Sequence, residues 1–140
     1  MAALLLGALH LPAASTDSSP VGLWKTYDDH TGQQRGTVLI YERDGEYFGR
    51  IASSVNPKDA TERCGECTDD RKGQLFIGIE ILRNLKLSGA EYNGGTILDP
   101  DTGSIYRCRF RLAEGGRKLQ LRGYLGISLL GRTQTWLRAE

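Results

Sequence analysis

Turn-forming clusters break this chain at short intervals from Asp28 to Gly116, and short runs of β-forming residues lie between them. That spacing points to an all-β barrel or sandwich built of hairpins. Leu23 to Tyr27 ends at Asp28-Asp29-His30-Thr31-Gly32, and Thr37-Val38-Leu39-Ile40-Tyr41 is rich in strand formers. Arg43-Asp44-Gly45-Glu46 carries an Asp-Gly pair, the strongest hairpin signal in the sequence, and leads into a third run from Tyr47 to Ala52. Ser53 to Lys72 then forms a charged loop with Asn56-Pro57 and Cys64-Gly65-Glu66-Cys67. A loop of that length is expected to be functional or internally cross-linked.

Leu75 to Leu87 admits two periods. Ile77, Ile79 and Ile81 alternate as in a strand, whereas Leu82, Leu85 and Lys86 have the spacing of a helical turn; the alternation favours a strand. Thr96 to Asp99 is the next run, ended by Asp99-Pro100-Asp101-Thr102-Gly103, which has proline and glycine where a turn needs them. Ile105 to Leu112 alternates most clearly, with Tyr106, Cys108, Phe110 and Leu112 on one face and Arg107, Arg109 and Arg111 on the other. Such a strand has a buried apolar face and a solvated basic one. Glu114-Gly115-Gly116 turns the chain into Lys118 to Leu125, Gly126 to Gly131 is a short irregular or single-turn helical link, and Arg132 to Arg138 is the last run. The expected fold is all-β: about eight antiparallel strands in an up-and-down barrel, with a sandwich as the alternative.

In the last run Arg132, Gln134, Trp136 and Arg138 share one phase and Thr133, Thr135 and Leu137 the other, and neither face is plainly apolar. Either Trp136 points inward beside polar neighbours or a bulge changes the phase. A barrel brings its first and last strands together, so Gly22-Leu23-Trp24 and Trp136-Leu137-Arg138 become neighbours. Trp24 and Arg138 are therefore the expected closure pair.

The 140 residues suffice for one domain, assigned to 17–140. Residues 1–16 contain Leu4-Leu5-Leu6-Gly7-Ala8-Leu9 and then Pro12-Ala13-Ala14-Ser15, which reads as a secretory signal peptide lacking its basic start. An ordered apolar helix is the competing reading. The net charge of +1 selects no partner, but its distribution is uneven. From Gly103 onward eight Lys/Arg face two Asp/Glu, while the first 102 residues hold ten against fifteen. A split of this kind can mark a binding face.

Cys64 and Cys67 are expected to form a disulfide that clips their loop. Redox activity is disfavoured because Glu62, Glu66, Asp69 and Asp70 would raise a thiol pKa. A metal site, free thiols and a bridge to Cys108 are the other readings; zinc would need four ligands, and His30 is the only histidine beyond the leader. Cys108 has the phase of a buried thiol. No nucleophile elbow or phosphate loop occurs, so no catalytic residue, metal or cofactor is assigned. Asp99 most simply caps turn amides.

Several of these segments, taken in order, resemble the bacterial domain-of-unknown-function family 2147. They are Gly22-Leu23-Trp24, Tyr47-Phe48-Gly49-Arg50-Ile51, Cys64-Gly65-Glu66-Cys67, Gly94-Gly95-Thr96-Ile97-Leu98-Asp99-Pro100, Gly103-Ser104-Ile105-Tyr106 and Leu121-Arg122-Gly123-Tyr124-Leu125-Gly126, with the ending from Leu130 to Arg138. The resemblance implies a secreted protein with a calycin or lipocalin-like barrel and carries no activity. More loosely, Gly-x-Trp and a basic residue near the last strand are similar to the pair that lipocalins stack, here Trp24 and Arg138.

The leading expectation is an extracytoplasmic (periplasmic or secreted), non-enzymatic barrel that binds a small apolar or amphipathic ligand. Its lining is drawn from Tyr106, Cys108, Phe110, Leu119 and Leu121, with Val38 and Ile40 facing inward. The alternative is an interaction protein. It would use the cysteine loop, or a basic wall of Arg107, Arg109, Arg111, Lys118, Arg122 and Arg132, to meet a protein partner or an anionic membrane surface. Nucleic acid is disfavoured, since no exposed aromatics interleave the arginines.

Overall fold

Eight antiparallel strands close into a barrel in chain order: β1 (Gly22–Tyr27), β2 (Gln34–Arg43), β3 (Glu46–Ser54), β4 (Glu80–Ser88), β5 (Glu91–Leu98), β6 (Ile105–Ala113), β7 (Lys118–Tyr124) and β8 (Arg132–Arg138). β8 pairs back onto β1, so the sandwich alternative is removed. The computed structural model describes residues 19–125 and 131–139. The leader expected at 1–16 and the link expected after Leu125, apart from Gly131, lie outside the described residues.

The two ends of the barrel are built differently. At one end the chain reverses in tight turns after β2, β4 and β6. Asp44 and Gly45 between β2 and β3 both have positive φ (55° and 81°), as a primed two-residue turn requires. At the other end lie the longer connections after β1, β3, β5 and β7. The loop after β3 includes a single 3-10 turn, Pro57–Ala60, capped by the Asn56 side chain, which accepts from the Lys58 amide.

Two strands differ from the sequence expectation. β4 starts at Glu80, so 75–79 belong to the preceding loop, where Leu75 makes an isolated bridge to Arg63. β5 begins at Glu91, five residues before the expected Thr96. The two strands also share a bulge. Asn84 (φ 62°) and Gly94 (φ 82°) are left-handed residues that interrupt the β4–β5 ladder, which pairs Arg83 with Thr96 and resumes at Lys86 with Asn93. Such bulges reverse the side-chain phase. Leu82 and Leu85, three apart, are therefore both fully buried, and Tyr92 and Ile97, five apart, both turn inward. The bulge imitates a helical spacing within a strand.

The tight-turn end is packed solid. Trp24, Ile40, Leu85, Tyr92, Phe110 and Leu119 are buried there, with Tyr92 stacked on Phe110 (centroids 4.8 Å apart) and edge-on to Tyr47 (5.0 Å). Beneath them Arg138 covers the Trp24 ring, its guanidinium carbon 4.4 Å from the centroid. The same guanidinium donates to the carbonyls of Gly116 (2.8 Å), Val21 (3.1 Å) and Ser19 (2.7 Å), while the Trp24 Nε1–H donates to the Pro20 carbonyl (2.8 Å). β1 and β8 share only two paired positions, Trp24 with Arg138 and Lys25 with Leu137. The side chains thus join what the short ladder alone holds weakly, as the closure pair expected from the sequence. Arg138→Ala is expected to lower the unfolding free energy in urea by about 2–4 kcal/mol, from the lost stacking and charge-assisted hydrogen bonds. Arg138→Lys should recover part of it, because the charge stays and the planar fork does not.

Candidate functional site

Above the packed floor the barrel opens into a cavity of about 490 Å³ at the long-loop end. Its wall follows from strand register. Val38 pairs with Ile51, Ile97 with Tyr106, Leu121 with Gln134 and Gly123 with Arg132, and each pair turns inward. Trp136 stands lowest on the β8 side of the wall, paired with Leu119. Phe76 and Ile77 from the loop before β4 complete the apolar lining.

Regular alternation in β8 resolves the phase of Trp136. It faces inward in the same phase as Gln134 and Arg132. Its Nε1–H donates to Gln134 Oε1 (3.0 Å), the Gln134 amide donates to Asp29 Oδ2 (3.3 Å), and Arg132 Nε donates to the same oxygen (2.7 Å). The lumen therefore has a polar seam from its buried indole to its rim. Tyr27, Tyr106 and Tyr124 also line it.

The expected lining residues separate into two levels. Tyr106, Leu121 and Val38 border the cavity. Cys108, Phe110, Leu119 and Ile40 are buried in the packing below it and do not reach the lining, because the bulky floor residues fill the lower lumen. Arg132 likewise leaves the basic wall where it was expected. Its phase puts it on the lumen side, against Asp29. On that outer wall Arg109 meets Glu91 (3.3 Å) and Lys118 meets Glu114 (3.2 Å).

The cysteine loop is held against the barrel at two places. Cys64 and Cys67 form the expected disulfide, with Cα atoms 5.4 Å apart, and both are buried. Gly103, at φ 77°, lies so close that a Cβ there would overlap the Glu66 carbonyl. The second anchor is Arg71, which is only 2% exposed. It binds Asp69 (2.7 Å) and the Glu80 carbonyl (2.7 Å), and beside it Arg83 reaches Asp70 (2.9 and 3.0 Å) and Glu80 (2.7 Å). The Tyr41 hydroxyl donates to Glu80 as well. Burial, reinforced by this carboxylate, raises the Tyr41 pKa. These ties bring Phe76 and Ile77 to the cavity. Sequence reasoning missed both them and Arg71, because 75–79 read as strand and Arg71 stood in a loop read only as charged.

Asp99 caps its turn as expected, accepting from the Asp101 amide (2.9 Å). Among the described residues no group of three or more His, Cys, Asp or Glu is arranged to hold a metal ion, and no helix is long and apolar enough to cross a membrane.

With this geometry in place, known proteins supply the family. The model of domain-of-unknown-function family 2147, described as an uncharacterized protein conserved in bacteria, matches residues 22–138. The chain belongs to that family. Among solved structures, protein HP1028 from Helicobacter pylori, described as belonging to the lipocalin family, superposes with a TM-score of 0.74. The match covers 87% of this chain and 84% of that one at 20% identity, so it shows a shared lipocalin-like fold. No curated protein sequence matches this family member.

The Arg71 guanidinium holds Asp69 at a pKa of about 2, below its ordinary 3.8, chiefly through the side-chain hydrogen bonds. A lowered carboxylate pKa contributes stability above its unfolded value and loses it as pH falls through the folded one. Asp69→Asn should therefore cost about 2 kcal/mol at neutral pH, with the difference from the parent closing between about pH 4 and 2 in pH-dependent denaturation. The thiols give a second readout. Burial pushes Cys108 up to about 12, so a thiol-specific chromogenic reagent at mild alkaline pH should find no reactive group in the native protein. Unfolding should expose one thiol, and reduction of the unfolded chain two more.

Proposed function

We propose that this protein is an extracytoplasmic, non-enzymatic barrel that binds a small apolar or amphipathic ligand in its open-end cavity. The carrying observation is the cavity itself. About 490 Å³ of space, walled by Val38, Ile51, Ile97 and Leu121 and crossed by one polar seam, has the size and composition of small-molecule sites. Tyr106 and Leu121 are the members of the expected set that would touch the ligand; Cys108, Phe110 and Leu119 would support the floor. The buried Cys64–Cys67 disulfide fits an oxidising compartment, in keeping with the leader read from residues 1–16. Docking through the basic wall has less support, since Arg132 belongs to the mouth and Arg109 and Lys118 already face carboxylates.

Gly123 provides the test. A Cβ there would lie in ordinary contact with Ile97 (3.4 Å) and Tyr106 (3.8 Å), so a larger side chain can enter the cavity without disturbing the ladder. A neutral naphthylamine dye should brighten on binding the parent and quench Trp136 emission. Gly123→Leu should weaken dye binding by about tenfold, the equivalent of roughly 1.4 kcal/mol, with an unchanged melting temperature. A dye that neither brightens nor quenches with the folded parent would end the proposal.

A further inference from the structure

The rim of the cavity carries an excess of negative charge. Asp28 and Asp29 come from the loop after β1, Asp59 from the 3-10 turn after β3, and Asp99 and Asp101 from the turn after β5; all five border the cavity. Two guanidiniums, Arg35 and Arg132, border it too. Both are already engaged by rim carboxylates: Arg35 with Asp101 (3.4 Å) and Arg132 with Asp29 (2.7 Å). An anionic head group arriving here would have to displace a resident carboxylate and would face the remaining ones.

The carboxylates, by contrast, are each held in place through one oxygen. Asp28 Oδ1 accepts from the His30 and Thr31 amides (both 2.8 Å) and Asp59 Oδ2 from the Ser54 hydroxyl (2.6 Å). Asp99 uses Oδ1, and Asp29 and Asp101 use Oδ2. The five are spread around the opening and do not converge into a metal-binding group. Their field suits a diffuse organic cation. Tyr106, which turns inward with Ile97 on the same lining, offers an aromatic ring to such a cation. The uneven charge of the chain has a location here: all five aspartates come from the acidic first 102 residues, whereas among the described residues the basic remainder contributes only Arg132 as a charged group to this lining.

We infer that the cavity favours amphiphiles with a cationic head, an alkylamine or alkyl quaternary ammonium, over fatty acids of equal chain length. The apolar chain lies among Val38, Ile51, Ile97 and Leu121, and the head stays at the aspartate rim. This rests on the ligand-binding reading above, and its test separates the two.

The full chain is loaded with the neutral naphthylamine dye, and dodecyltrimethylammonium, dodecanol and dodecanoate are compared as competitors below their aggregation limits. The cation should displace dye at about tenfold lower concentration than dodecanoate in low salt, with dodecanol between them. The gap should shrink in about 0.5 M salt, where the screening length falls to a few ångströms. Asp59→Asn with Asp101→Asn, which keeps an acceptor at both positions, should narrow the gap, and Arg132→Gln should widen it. Dodecanoate displacing dye as well as the cation does, or a preference indifferent to salt and to these variants, would overturn the inference while leaving apolar binding standing. Failure of the dye itself to bind would remove the binding reading, and this inference with it.

Discussion

The closure of β1 on β8 governs what the rest of the barrel can do. Two paired positions are too short a seam to resist opening, and an open seam would expose the floor to water. Arg138 answers both needs with one side chain. Its face covers the Trp24 ring, and its edge binds three carbonyls from two separate segments of chain. A planar, permanently charged group with five donors suits this place as a flexible ammonium does not. Because the closed end is sealed and filled, the empty volume lies at the other end.

That other end is assembled from parts with different chemistry. Strand side chains provide the apolar wall. The loop after β3 contributes Phe76 and Ile77, kept in place by the disulfide and by the buried Arg71 among Asp69 and the Glu80 carbonyl. Removing a buried guanidinium's partner is costly because the charge stays desolvated. The Trp136–Gln134–Asp29–Arg132 chain then links the wall to the rim. Sheet, loop and rim meet within one cavity, which the neighbouring strands could not form alone.

Legibility in the sequence followed the strength of local signals. β6 and β7 could be read almost residue by residue, because strict alternation over a half-buried sheet leaves one solution for each side chain. Asp44-Gly45 was equally plain, since few dipeptides tolerate two left-handed residues in a row. The β4–β5 region was obscured by Asn84 and Gly94, whose bulges reverse the phase and gave Leu82 and Leu85 a helical look. For the site, Tyr106 and Leu121 were placed on the inward face correctly, but that face gives no depth along the barrel axis. Cys108, Phe110 and Leu119 share it and lie below the cavity. Arg71 gave no local sign of burial, because its partners come from its own loop and from a strand backbone.

The sequence by itself determined the all-β class, the hairpin order of about eight strands and a cysteine pair spaced to clip its loop. Each of these follows from short-range pattern or from two cysteines three residues apart. Only the tertiary structure decided where the lumen is filled and where it is empty, which loop residues join the wall, and that Arg132 belongs to the mouth. Those outcomes depend on shear between strands and on contacts across the whole chain length. A period of two tells a side chain which face to take, but the closed barrel alone tells it which neighbours share its level.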